Sequence, residues 1–117
     1  MPSSDLRIGI VGPCKSGKSV LRTNLEAAGY TNIRHIAQEH SFAPQMWRQI
    51  GKPDVLIFLD VSFEETLARG KLNWRRADYD EQYRRLAHAH ENADLIVDTS
   101  VAPPEQVLQT VLNFLAQ

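Results

Sequence analysis

Sulfur redox chemistry has almost nothing to work with in this chain. Cys14 is its only cysteine, so no internal disulfide can form, and a reducing, cytoplasmic setting is expected. Long apolar runs are missing as well. The best of them, around residues 55–59, falls far short of the roughly 20 residues a membrane-spanning helix needs. The opening Met-Pro-Ser-Ser-Asp has no charged-then-apolar signal pattern. An excess of one charge is also absent: 13 basic and 14 acidic residues leave a net charge of −1. Bulk electrostatics therefore draw the chain to neither nucleic acid nor an anionic membrane, and any anion site must be made by local geometry. No repeat or low-complexity tract divides the 117 residues, a length that suits one domain over 1–117 and not two.

What is present is an alternation of short apolar runs and amphipathic stretches. Residues 7–11 (Arg-Ile-Gly-Ile-Val) read as a buried strand ended by glycine. A helix is predicted over 17–28, with Val20, Leu21, Leu25 and Ala28 on one face and Gly29 as its stop. Residues 32–38 alternate as a second strand, and 45–50 are expected to make one or two helical turns. Residues 54–61 form the strongest strand; their unbroken hydrophobicity implies burial on both faces. Ser62-Phe-Glu-Glu65 reads as a capping box opening a short helix that runs to Arg69. After a loop at 70–77, a helix over 78–92 turns Tyr79, Tyr83, Leu86 and His90 to one side. A last strand, Leu95–Asp98, precedes a helix over 103–115 with proline in its first turn. Strands alternating with helices predict an α/β fold: a parallel sheet of about four strands with helices on both faces, and ligands beyond the carboxyl ends of the strands.

The most specific signal is Gly12-Pro13-Cys14-Lys15-Ser16-Gly17-Lys18-Ser19, which matches G-x-x-x-x-G-K-[ST] at every fixed position. A buried strand leads in and an amphipathic helix leads out. Glycine at 12 and 17 lets successive amides converge on one anion, and the helix N-terminus adds its dipole. Lys18 is expected to reach the β- and γ-phosphates of a nucleoside triphosphate such as ATP. Ser19 is expected to ligate Mg²⁺. Lys18 reads as a ligand and not as core, so its loss is expected to spare the fold. Lys15 fits either added charge near phosphate or a solvated loop. Cys14, near a helix N-terminus, fits either a redox role or a small loop residue. Val20 closes the run of candidate nucleotide contacts. Asp60, at the end of the strongest strand, reads either as a second magnesium ligand or as a helix cap.

The phosphate-loop proteins most similar to this sequence are the small-molecule kinases, thymidylate-kinase-like and other nucleoside and nucleotide kinases. Three segments carry the resemblance: the loop with its flanking strand and helix, residues 53–69 (a strand ending in Leu-Asp, then a helix leading to arginine), and residues 93–99 with the helix after Pro104. The resemblance implies the three-layer fold of that superfamily, and an arginine-rich lid closing over the phosphates. Residues 69–85 hold Arg69, Lys71, Arg75, Arg76, Arg84 and Arg85. By the same resemblance Arg69 lies near the base, Arg75 or Arg76 reaches phosphate, and Thr99 lies at the base edge. A solvated basic face paired with Asp78, Asp80 and Glu81 is the competing reading, above all for Arg84 and Arg85. The sequence departs from the family between the first helix and the late strand, where only about 25 residues stand and no Asp-Arg pair occurs. The polar cluster there is Gln38-Glu39-His40-Ser41. Glu39 could orient magnesium-bound water or accept a proton from an acceptor hydroxyl, or it is an ordinary strand end. Trp47 reads either as a cover over the acceptor or as a plug at the core edge, the second being preferred.

Two functions of different class stay open on these residues. One is a kinase moving a γ-phosphate to an unknown small acceptor. The other is a nucleotide-binding regulatory module, catalytically weak or a slow NTPase, acting on a partner or as a homodimer. The arginine cluster favours the first and the short acceptor region the second.

Overall fold

The computed structural model describes residues 5–70 and 73–117. Four strands, β1 (Ile8–Val11), β2 (Ile33–His35), β3 (Val55–Asp60) and β4 (Leu95–Asp98), form one sheet in the order β2-β1-β3-β4. Every pairing is parallel, with Ile8 opposite both Ile33 and Val55, and Ile57 opposite Leu95. β1 and β3 are central. β1 and residues 56–59 of β3 are buried on both faces, as their unbroken hydrophobicity requires.

Helices α1 (Lys18–Ala27) and α5 (Pro104–Leu115) cover one face, where Leu21, Leu25, Val107 and Val111 pack on Ile8, Ile10, Ile57 and Leu59. The other face carries α2 (Met46–Gly51) and α4 (Arg76–Asn92). There Trp47, Leu86 and Ala89 meet Val11, Leu56 and Phe58. The alternation of strand residues between the two clusters follows from the pleat. Trp47 belongs to this second core, and its indole N–H donates to His88 Nδ1 at 3.1 Å. The predicted face of α1 needs correction. Leu21 and Leu25 are buried, but Val20 is 49% exposed and Ala28 is also at the surface. The inward stripe is narrower because α1 packs on the sheet and α5 along a single seam.

The short α3 (Phe63–Ala68) begins at the predicted Ser62 cap, with the Glu65 amide donating to Ser62 Oγ at 3.1 Å, but the reciprocal half of the predicted capping box is not made. The Ser62 amide donates in turn to Ser100 Oγ at 2.7 Å, tying the end of β3 to that of β4. Ser62→Ala should therefore lower stability by about 1 kcal/mol, measured as a shift in the urea midpoint at unchanged slope. α4 starts two residues earlier than predicted, because the Asp78 carboxylate accepts from the Arg75 amide at 2.9 Å and caps it. Among the described residues no helix is long and apolar enough to cross a membrane.

Candidate functional site

The carboxyl ends of the strands deliver Gly12, a 3-10 turn at Gln38–His40, Asp60 and Thr99 to one side of the sheet. The loop from Gly12 to Gly17 is shaped by its glycines. A Cβ on Gly12 would lie 2.5 Å from the Leu59 carbonyl oxygen and 2.7 Å from Ser16 Oγ. Gly17 caps α1 in the left-handed region at φ 99°, and Lys15 also has positive φ, 69°. Ser16 is fully buried. Its amide donates to Pro13 O at 3.2 Å, its carbonyl accepts from Thr99 Oγ1 at 3.0 Å, and its hydroxyl has no partner among the described residues.

Lys18 runs beneath this loop and is 5% exposed. Its three ammonium protons have three acceptors: Gly12 O at 2.6 Å, Pro13 O at 3.1 Å and Glu39 Oε2 at 2.8 Å. Glu39 is buried as well, and its second oxygen, Oε1, has no partner among the described residues. A buried carboxylate with one oxygen unpaired is costly unless a ligand completes it. Lys18 was expected to lie outside the core; it is buried as half of an ion pair with Glu39, so its loss is expected to destabilise the fold. Neighbouring Gln38 is fully buried and holds the turn. Its amide nitrogen donates to Ala43 O at 2.8 Å and its oxygen accepts from the Trp47 amide at 2.8 Å.

On the α1–α5 side the loop opens into a cavity of about 610 Å³ lined by Ser16, Gly17, Val20, Arg69, Thr99 and Val101, among others. That size suits a small organic ligand. Arg69 spans one wall. Its guanidinium donates to Lys15 O, to Thr99 O at 2.8 Å and to Glu65 Oε1 at 3.3 Å. It joins the loop to β4, while Thr99 Oγ1 bridges Ser16 O and Asp60 O. Val20 finds its use here, as an exposed apolar wall.

Ser19 is exposed, with Oγ 3.5 Å from His35 Nδ1. Burial and the Lys18 charge hold the His35 pKa below its ordinary value, so the ring is neutral at neutral pH. Asp60 does not converge on Ser19 in the contacts it makes. Its carboxylate accepts from Tyr83 OH at 2.8 Å and lies 3.8 Å from His90, on the α4 side. Burial and that carboxylate push the Tyr83 phenol far above its usual range, so it stays a donor.

The basic cluster divides. Arg75 and Arg76 are 85% and 62% exposed and pair with Asp78 and Asp80. Arg76 also lies over the Phe63 and Tyr79 rings. Arg84 pairs with Glu81 at 2.6 Å. These match the solvated-face reading, and Lys71 lies outside the described residues. Arg85 differs: it lies against Glu81, sits over the Phe42 ring at 4.2 Å and donates to the Glu39 carbonyl at 3.4 Å. One contributor was invisible in the sequence. Gln82, buried on α4, accepts from the Cys14 amide at 2.9 Å and donates to Cys14 Sγ at 3.2 Å. Its only signal was a polar residue on a helix face that also carries Leu86 and Ala89.

No known family model matches the chain, and no curated protein matches it.

Proposed function

We propose that this protein has the phosphate-loop NTPase fold, binds a nucleoside triphosphate with Mg²⁺ at residues 12–19, and transfers the γ-phosphate to a small acceptor. The observation that carries the reading is the pairing of Lys18 with Glu39 beneath a loop that only glycine at 12 permits, beside a cavity large enough for a base and sugar. The anion is recognised by the loop amides at the start of α1 and by Lys18. For this Lys18 exchanges Gly12 O and Glu39 for phosphate oxygens, which frees the Glu39 carboxylate. The residues suited to magnesium are Ser19 and, through water, Glu39, whose unpaired Oε1 fits such a role. Bound there, magnesium would neutralise phosphate charge. Glu39, once free, can take the proton of an acceptor hydroxyl. Arg69 and Thr99 hold the base side. Arg75 and Arg76 contribute only by leaving Asp78 and Asp80, exposed pairs that solvent screens and that open readily.

The regulatory-module reading has one observation in its favour: both lid arginines are paired on their own helix. Single-turnover ADP formation, with and without a panel of nucleosides, nucleotides and sugars, separates the two. For a kinase, Arg75→Ala with Arg76→Ala should slow acceptor-dependent transfer by about 100-fold and change ATP affinity by only a few-fold, because charge on the transferring group grows in the transition state. No acceptor stimulation in the wild type, with tight ATP binding, would establish the module instead.

A further inference from the structure

Glu39 also belongs to a second arrangement, whose other two members, Cys14 and His40, neither reading uses. Cys14 from the loop and Glu39 and His40 from the 3-10 turn place their ligand atoms all within 4.8 Å of one another. Cys14 Sγ lies 3.8 Å from His40 Nε2, and His40 Nε2 lies 3.8 Å from Glu39 Oε2. A tetrahedral zinc ion, with bonds of about 2.3 Å to sulfur and about 2.0–2.2 Å to nitrogen or oxygen, sets its S and N ligands roughly 3.5 Å apart and its N and O ligands roughly 3.4 Å apart. The trio needs to close by only a few tenths of an ångström on these two edges. The edge to His40 is made by Glu39 Oε2, and the other oxygen of this 4% exposed side chain, Oε1, has no partner among the described residues; a cation here would compete with water-bound magnesium for the same carboxylate. An unpartnered oxygen of this kind is expensive without a cation or donor.

We propose that Cys14, Glu39 and His40 bind a zinc-class divalent cation, separate from the magnesium expected at Ser19. The donor set decides the metal. A thiolate, an imidazole and a carboxylate suit Zn²⁺ or Co²⁺, whereas Mg²⁺ and Ca²⁺ take oxygen ligands. Binding releases the Cys14 thiol proton to solvent. Gln82 Nε2, already 3.2 Å from Sγ, supports the thiolate from outside the ligand set. Three protein ligands leave a fourth position open to water or a phosphate oxygen.

Lys18 is the built-in opponent of this site. Its ammonium lies 2.8 Å from Glu39 Oε2, so metal and lysine share one carboxylate and repel each other. Any anion that draws Lys18 away hands Glu39 to the metal. The site stands on the trio alone and does not rest on the nucleotide reading.

Co²⁺ titration of the full chain, followed through the thiolate-to-cobalt charge-transfer band and reversed by Zn²⁺, tests it. One Co²⁺ per chain is expected, with the band lost in Cys14→Ser. His40→Ala, at a side chain 59% exposed and so harmless to the core, should weaken binding by about 100-fold or more. Lys18→Met should strengthen binding by about tenfold or more, and Zn²⁺ should raise its melting temperature by more than it raises the wild type's. Absence of the band, or a band of unchanged affinity in His40→Ala, overturns the site. Equal or weaker binding by folded Lys18→Met overturns the competition with lysine.

Discussion

Lys18→Ala should lose nucleotide and stability together. Calorimetry with ATP–Mg²⁺ should show affinity reduced roughly 30- to 150-fold, the equivalent of about 2–3 kcal/mol for hydrogen bonds to charged phosphate. Urea denaturation should show a further loss of about 3–5 kcal/mol, because the variant strands the buried Glu39 carboxylate without its cation. The two effects have different owners and can be separated. Lys18→Met with Glu39→Leu removes both charges and keeps the volume, so most of the stability should return while nucleotide affinity stays low. If the single variant binds ATP as the wild type does, the nucleotide reading fails. If it binds poorly but unfolds at the wild-type midpoint, Lys18 and Glu39 are not a buried pair in solution.

Gly12→Ala should be the most damaging single-methyl change in the molecule. The added carbon meets the Leu59 carbonyl oxygen at 2.5 Å, and that oxygen belongs to the buried stretch of central strand β3, which cannot retreat. Its other neighbour, Ser16 Oγ at 2.7 Å, is on a fully buried side chain. We expect about 3 kcal/mol of destabilisation and loss of measurable ATP binding, since the loop must lift from β3 to relieve the contact. Gly17→Ala has open space around the new carbon but strains a φ of 99°, so it should cost about 1–2 kcal/mol. A Gly12→Ala protein as stable as Gly17→Ala would contradict the loop conformation.

Much of this architecture was legible before any coordinates. Residues 54–61 read as a central strand because nothing polar interrupts the run from 55 to 59, and β3 is central and buried there. Ser62 and Glu65 read as a helix start, and the cap bond is made. Asp78, Asp80 and Glu81 read as partners of the surface arginines, and each is paired. The misreadings have a common cause. Val20 shares a helical face with Leu21 and Leu25, but periodicity cannot say how wide a stripe the neighbouring helix covers, so Val20 went to the core on paper and lines a cavity in the fold. Asp60 sits where ligands gather, and Tyr83, 23 residues on, donates to its Oδ1, a contact with no local signal in the chain.

By itself the sequence determined the order of strands and helices, the parallel alternation and the two glycines that shape the loop, although it carried the second strand to 38 where the structure ends it at His35 and turns Gln38–His40 into a 3-10 helix. Each of these depends on backbone stereochemistry or on a hydrophobic period expressed within a few consecutive residues. The tertiary structure alone decided who meets whom at the site. Placing β2 beside β1 brings Glu39 under Lys18, 21 residues away, and His40 beside Cys14. Packing α4 on the sheet brings Gln82 to the Cys14 amide across 68 residues. Contacts of that kind are fixed by strand order and helix placement, which are settled by the packing of the whole core and leave no local pattern in the chain.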